Sequence, residues 1–148
     1  MTTFRPGSPS DLETVLALHQ AFFEEDGYPF REAEARANLA RLVADPGLGR
    51  LLVMDDGGEV VGYLVVGFGF SLEFRGRDAF LDEIYVVPSH RGRGLGTRAI
   101  AAAEATCREA GVRALHLEVE RSKERTQGLY RRLGFAAHDR FLMTKWLE

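Results

Sequence analysis

Apolar positions along this chain follow two rhythms, one helical and one alternating. Leu12, Val15, Leu16, His19, Phe22 and Phe23 recur every three or four residues, which predicts a helix running to about Glu25. Ser8 can cap it, Pro9 suits its first turn and Asp11 favours the positive end of its dipole. A short strand around Thr3–Arg5 precedes it. Gly27-Tyr28-Pro29 breaks the helix, and a second is predicted over Glu32–Val43, before Asp45-Pro46-Gly47.

The rhythm then shortens. Leu51–Asp55 and Val60–Phe70 read as strands joined by a hairpin turn at Asp56-Gly57-Gly58. Glycines at 62, 67 and 69 point to bulges or close backbone approach. Ser71–Asp78 reads as a loop, and Ala79–Val87 as a strand stopped by Pro88. A helix over Leu95–Ala110 ends at Gly111. Val112–Glu120 alternates, with Leu115, Leu117 and Val119 on one face. A helix over Glu124–Leu133 stops at Gly134, and a last strand is predicted over Arg140–Leu147. The class is α/β (α+β): one domain over 1–148, with a mixed central β-sheet flanked by two early and two late helices.

Composition narrows the function. The chain has 148 residues, 45% hydrophobic and 28% charged, with a net charge of −3. Charges of both signs are interspersed, which argues against a nucleic-acid partner. Cys107 is the only cysteine, so neither a disulfide framework nor a cysteine zinc site is expected. No cluster of His, Asp or Glu has metal-ligand spacing, so no metal is expected. Met1–Pro6 lacks the apolar run of a signal peptide, and no stretch approaches the roughly 20 apolar residues of a membrane span. A cytoplasmic protein without a membrane partner is the expectation.

The most informative segment is Ile84-Tyr85-Val86-Val87-Pro88-Ser89-His90-Arg91-Gly92-Arg93-Gly94-Leu95-Gly96, which reads as strand, turn and helix start. The first N–H groups of a helix lack intrahelical partners and attract anions, and glycines let phosphate oxygens approach them. The P-loop lysine is missing. Glycines at 92, 94 and 96 also miss the dinucleotide spacing Gly-x-Gly-x-x-Gly.

Arg-x-x-Gly-x-Gly behind Val86-x-Pro88 resembles the pyrophosphate-binding motif of the GCN5-related N-acetyltransferase (GNAT) superfamily. The run Leu117-Glu118-Val119, then Gly128-Leu129-Tyr130-Arg131-Arg132-Leu133-Gly134-Phe135, is similar to that family's closing motif. Lys123 stands where the family usually has Asn, and Thr126 where Ala is common. The resemblance implies a GNAT-like acyl-CoA N-acyltransferase fold and an N-acetyltransferase using acetyl-CoA as cosubstrate. It implies that Ile84, Tyr85 and Val86 meet the pantetheine arm where two strands splay. Arg91, Gly92, Arg93, Gly94, Leu95, Gly96 and Thr97 would then hold the pyrophosphate. Many members pair, so it also allows a homodimer.

Acetyl transfer to an amine needs a base, an oxyanion donor and an acid for the thiolate. The resemblance makes Tyr130 the acid. Glu83, on the strand entering the cofactor site, is favoured as base; Asp82 and Glu118 are its rivals. The Val86 or Val87 N–H is the expected oxyanion donor. His19 reads as core or edge, and His90, His116 and His138 as exposed. Cys107 reads as a small buried residue. Family members usually admit the acceptor between the early helices and the central strands. That region holds Glu24, Glu25, Asp26, Tyr28, Pro29, Phe30, Phe68, Phe70 and Phe74, which suits a small cationic amine. Arg75 and Arg77 would suit a substrate carboxylate instead. A protein N-terminus or lysine is the alternative acceptor, and an acyl-CoA-binding sensor without turnover the alternative function.

Overall fold

Five strands form one sheet in the order β1-β2-β3-β4-β5: Thr2–Pro6, Gly49–Asp56, Glu59–Ser71, Gly76–Val86 and Ala114–His116. The first four pair antiparallel and β5 joins β4 in parallel, so the sheet is mixed. The computed structural model describes residues 1–148, which fall into two compact units, Met1–Leu117 and Glu118–Glu148. The whole sheet lies in the first.

Helices α1 (Leu12–Asp26) and α2 (Glu32–Ala44) cover one face. Val15, Leu16 and Leu39 pack there against Leu51 and Val53 of β2, Tyr63 of β3 and Tyr85 of β4. Helix α3 (Leu95–Glu109) packs against β3 and β4 and buries Leu95, Ala99, Ile100, Ala103 and Cys107. Burial raises the Cys107 thiol pKa, which suits the inert packing role expected of it. No helix is long and apolar enough to cross a membrane.

Two local devices shape the sheet. Gly57 and Gly58, at φ 64° and 98°, turn β2 into β3, a conformation that glycine adopts without strain. Farther on, Val65 pairs with Glu83 while its neighbour Val66 pairs with Leu81. Asp82 is therefore the extra residue of a β-bulge in β4. Cross-strand partners share a face. The bulge thus brings Glu83 and Tyr85 onto the α1 face, beside Val65 and Tyr63.

At the N-terminal edge, Asp11 closes a single 3-10 turn over Pro9–Asp11 and accepts the Ser8 backbone N–H at 2.8 Å. The Arg5 guanidinium donates to both Asp11 oxygens at 2.9 and 3.0 Å and, through Nε, to Asp55 at 3.0 Å. Arg5 thereby ties β1 to β2 and to the start of α1.

In the second unit, α4 spans Glu124–Arg132, with Gly134 at φ 100° beyond its end. Two strand expectations change. The strand predicted over Val112–Glu120 shrinks to Ala114–His116, because β4 offers parallel partners only at Asp78–Phe80. The strand predicted over Arg140–Leu147 does not form. Phe141-Leu142-Met143 and Trp146-Leu147 are runs rather than an alternation, and all five side chains are exposed. Without one face to bury and a ladder to join, apolar character does not make a strand.

Candidate active site

Beyond Phe80, β4 loses its partner on one side. Its pairing with β5 runs from Asp78–Ala114 to Phe80–His116, so Leu81–Val86 have β3 on one edge and no strand on the other. The Val87 N–H donates to Val61 at 2.9 Å. Since backbone groups alternate along a strand, those of Val86 and Ile84 turn toward the open edge. Of the two expected oxyanion donors, Val87 is thus already committed to β3. The Val86 carbonyl accepts Arg91 Nε at 2.8 Å.

The open edge leads straight into the glycine turn. A 3-10 turn over Pro88–His90 is followed by Gly92 and Gly94 at φ 76° and 77°, where a side chain would be strained. Arg98 N–H donates to the Gly94 carbonyl at 3.1 Å, so those of Leu95, Gly96 and Thr97 precede the helical ladder. A Cβ built at Gly92, Gly94 or Gly96 meets nothing within 4 Å. The result is an open cradle of N–H groups at a helix start, which fits an anionic diphosphate.

His90 is not an exposed turn residue as expected. Its Nε2 lies 2.9 Å from Asp56 and its Nδ1 3.0 Å from Ser89 Oγ, pinning the turn to the β2–β3 hairpin. That contact, before any other, holds the Asp56 carboxyl below its usual range. Arg91 turns toward α1, meeting Glu25 at 2.9 Å and standing 5.4 Å over the Tyr85 ring. Arg91, and after it the Tyr85 hydroxyl, lowers the Glu25 carboxyl. Glu25 thereby serves the turn and leaves the acidic group expected to face the acceptor.

Glu83 sits on the open segment of β4, largely shielded from solvent. Its Oε1 accepts the Tyr63 hydroxyl at 2.7 Å and lies 2.9 Å from His19 Nδ1. Tyr63 is fully buried, and burial first, then the Glu83 charge, raises its pKa, so the phenol stays protonated and donates. His19 is held by Phe23, whose ring centroid is 4.2 Å away, and by Phe30 at 5.8 Å. Tyr28 stands edge-on to Phe23 at 5.5 Å and is half exposed. Asp82, the rival base, is exposed at the bulge.

Sequence reasoning missed His19 and Tyr63. The available signal was polarity: each interrupts an apolar stripe, and a buried polar group must find a partner.

The expected acceptor aromatics do not gather in one place. Phe68 pairs with Ala79, which puts it on the face opposite Glu83, between the guanidinium groups of Arg50 and Arg77 at 5.1 and 4.8 Å. Phe74 packs on His116 at 4.4 Å. His116, expected to be exposed, is largely buried and bonds Asp78 at 3.0 Å. Arg77 also donates to the Ala110 carbonyl, at 3.2 Å.

Tyr130, Glu118 and Lys123 belong to the second unit. Tyr130 lies on α4, half-buried, 5.9 Å from the Phe135 ring, and burial raises its pKa. Lys123 occupies the N-cap of α4, its carbonyl accepting the Gln127 N–H at 3.0 Å. Glu118 is exposed and outside any strand.

A mixed sheet whose edge opens beyond its parallel pairing and runs into a glycine cradle sets the class of fold. Residues 12–135 match the Acetyltransferase (GNAT) family, and the chain belongs to it. It is 34% identical over 95 residues to thialysine N-epsilon-acetyltransferase of Mus musculus, covering 62% of this chain and 55% of that protein. It is 33% identical over 132 residues to mycothiol acetyltransferase of Propionibacterium freudenreichii subsp. shermanii, covering 85% of this chain and 40% of that one. The chain thus spans about half or less of the length of these thialysine and mycothiol acetyltransferase relatives. Among solved structures, an integron cassette protein from the mobile metagenome of Cole Harbour Salt Marsh superposes with a TM-score of 0.86 at 33% identity, over 98% of this chain and 90% of that one.

Proposed function

We propose that this chain is an acetyl-CoA-dependent N-acetyltransferase acting on a small cationic amine. One observation carries the reading: the open edge of β4 at Leu81–Val86 leads into the glycine cradle and bears Glu83, a carboxylate with one oxygen still uncommitted. In this reading the N–H groups of Leu95, Gly96 and Thr97 receive the diphosphate of acetyl-CoA. The backbone groups of Ile84, and the remaining lone pair of the Val86 carbonyl, receive its pantetheine amides as an added strand would.

The chemistry then balances as follows. Glu83 Oε2 takes a proton from the acceptor ammonium, and the free amine attacks the thioester carbonyl. The Val86 N–H donates to the developing oxyanion. The C–S bond breaks, the departing thiolate takes the Tyr130 hydroxyl proton, and the adduct's second N–H proton passes through solvent to restore the phenol. Burial keeps that phenol protonated, as an acid requires. An ammonium approaching Glu83 passes the rings of Phe23, Tyr28 and Phe30, which favour cations. Relatives named for thialysine and mycothiol support a small acceptor.

Release of free thiol from acetyl-CoA, measured against a panel of amines, amino acids and peptides, tests the reading. Small cationic amines should be turned over fastest. Binding of acetyl-CoA without turnover on any acceptor would make the chain a sensor instead. Tyr130→Phe should lower kcat by roughly 10- to 1000-fold, and an unchanged rate would remove Tyr130 from the reaction.

A further inference from the structure

Glu83 could present either oxygen to an amine, and a glutamate side chain has three torsions with which to choose. Its surroundings leave no such choice. Tyr63 Oη and His19 Nδ1 both converge on Oε1, at 2.7 and 2.9 Å, and lie 3.3 Å from each other. Tyr63 comes from β3, next to the strand that carries Glu83; His19 comes from α1, on the other side of the carboxylate. Of these two partners, His19 on α1 is the one that holds the carboxylate from outside the sheet.

The proton inventory also settles the direction of the His19 contact. Oε1 already accepts the Tyr63 hydroxyl, and a carboxylate oxygen accepts from a ring N–H, so Nδ1 carries the hydrogen of the His19 contact. An imidazole that already donates through Nδ1 cannot take a proton from Glu83 at that atom. Its contact is a clamp rather than a relay. Phe23 and Phe30 hold the ring, and its side chain is 13% exposed, so the clamp is itself packed in place.

We propose that His19 is a positioning residue: by donating Nδ1–H to Glu83 Oε1, it fixes the carboxylate so that Oε2 faces the incoming amine. This rests on the reading of Glu83 as the base. It also makes α1 a mechanical part of the site, because the helix that carries His19 holds the glycine turn through Glu25 and Arg91.

Two substitutions separate a clamp from a relay. Asparagine places an amide donor near the position of Nδ1 but cannot shuttle a proton; leucine fits the apolar stripe and offers no donor. His19→Leu should lower kcat about 10- to 100-fold with the KM for acetyl-CoA unchanged, and His19→Asn should recover most of that loss. In a Glu83→Gln background, His19→Leu should change the residual kcat by less than twofold, since nothing remains to be positioned. Asparagine as slow as leucine would show that the imidazole itself is needed and overturn the clamp. So would wild-type kcat in both variants, or a full additive loss in the Glu83→Gln background. Wild-type turnover in Glu83→Gln alone would instead remove the base reading.

Discussion

Two carboxylates in this chain lie in similar shelter and face opposite fates. Asp11 sits at the start of α1 with the Arg5 guanidinium on both its oxygens and the Ser8 N–H besides. Glu83 sits on β4 with a phenol and an imidazole on one oxygen and nothing on the other. Arg5, before any other cause, pulls the Asp11 pKa down to about 2. A guanidinium never releases its charge, so Asp11 stays ionised and silent. The partners of Glu83 carry no permanent charge, and its second oxygen is uncommitted. One environment makes a staple; the other leaves a carboxylate oxygen without a bond in the protein.

The largest effect that would break this contrast is chemical. Glu83→Gln preserves shape and both donors' reach but removes the basic oxygen. Turnover should fall about 10²- to 10⁴-fold, while the melting temperature stays near that of the parent chain. Thiol release and a thermal melt on the same sample decide it. A large loss of stability with modest loss of rate would make Glu83 a second staple.

Asp11→Asn should do the reverse. It leaves the Arg5 guanidinium beside a neutral amide and costs about 2 kcal/mol of unfolding free energy, read from a urea titration. The rate per folded molecule should remain within about twofold, because Asp11 is bonded to Arg5 and Ser8 rather than to the β4 site. A tenfold loss of kcat in the folded protein would erase the distinction between the two carboxylates.

Acid gives the same answer without mutation. The folded-state pKa of Asp11, about 2, lies below its ordinary 3.8. A depressed carboxylate contributes stability that is complete above the unfolded value and lost as pH falls toward the folded one. The parent should therefore lose on the order of 1–2 kcal/mol more than Asp11→Asn between about pH 5 and 2, both measured by denaturant titration. Equal pH slopes in the two proteins would mean that Arg5 does not hold Asp11.

How far the sequence disclosed this contrast depends on what each residue announces. The backbone of the glycine turn was legible, since glycines at fixed spacing behind an apolar strand state a backbone need, whereas the bonds of His90 to Asp56 and of Arg91 to Glu25 were not. Glu83 was legible as a candidate through its position on the strand entering that turn. Its partners were not. His19 lies 64 residues away, on a helix whose spacing places it among Leu16, Phe22 and Phe23, so periodicity assigned it to packing. Tyr63 lies within the apolar Val60–Phe70 run, where nothing in the sequence marks its hydroxyl for a partner 20 residues on. The bulge at Asp82 was equally silent, because a register slip depends on which residues of β3 lie opposite. The missing strand at Arg140–Leu147 shows the converse: apolar content is visible in sequence, whereas a ladder partner is not.

Tyr63 offers the finest test, because it contributes to both sides of the comparison. Its ring belongs to the α1-face core and its hydroxyl belongs to Glu83. Tyr63→Phe keeps the ring and deletes only the donor, leaving His19 alone on Oε1. Stability should fall by about 1 kcal/mol, the usual net worth of one hydrogen bond. With one of two donors gone, Glu83 should be held less firmly, and kcat should drop about three- to tenfold with little change in the KM for acetyl-CoA. A loss of stability alone would place Tyr63 with Arg5 as structure. A loss of rate alone, at unchanged stability, would place the hydroxyl wholly in the chemistry. The fall of both together is what a ring packed in the core and a hydroxyl turned to Glu83 predict.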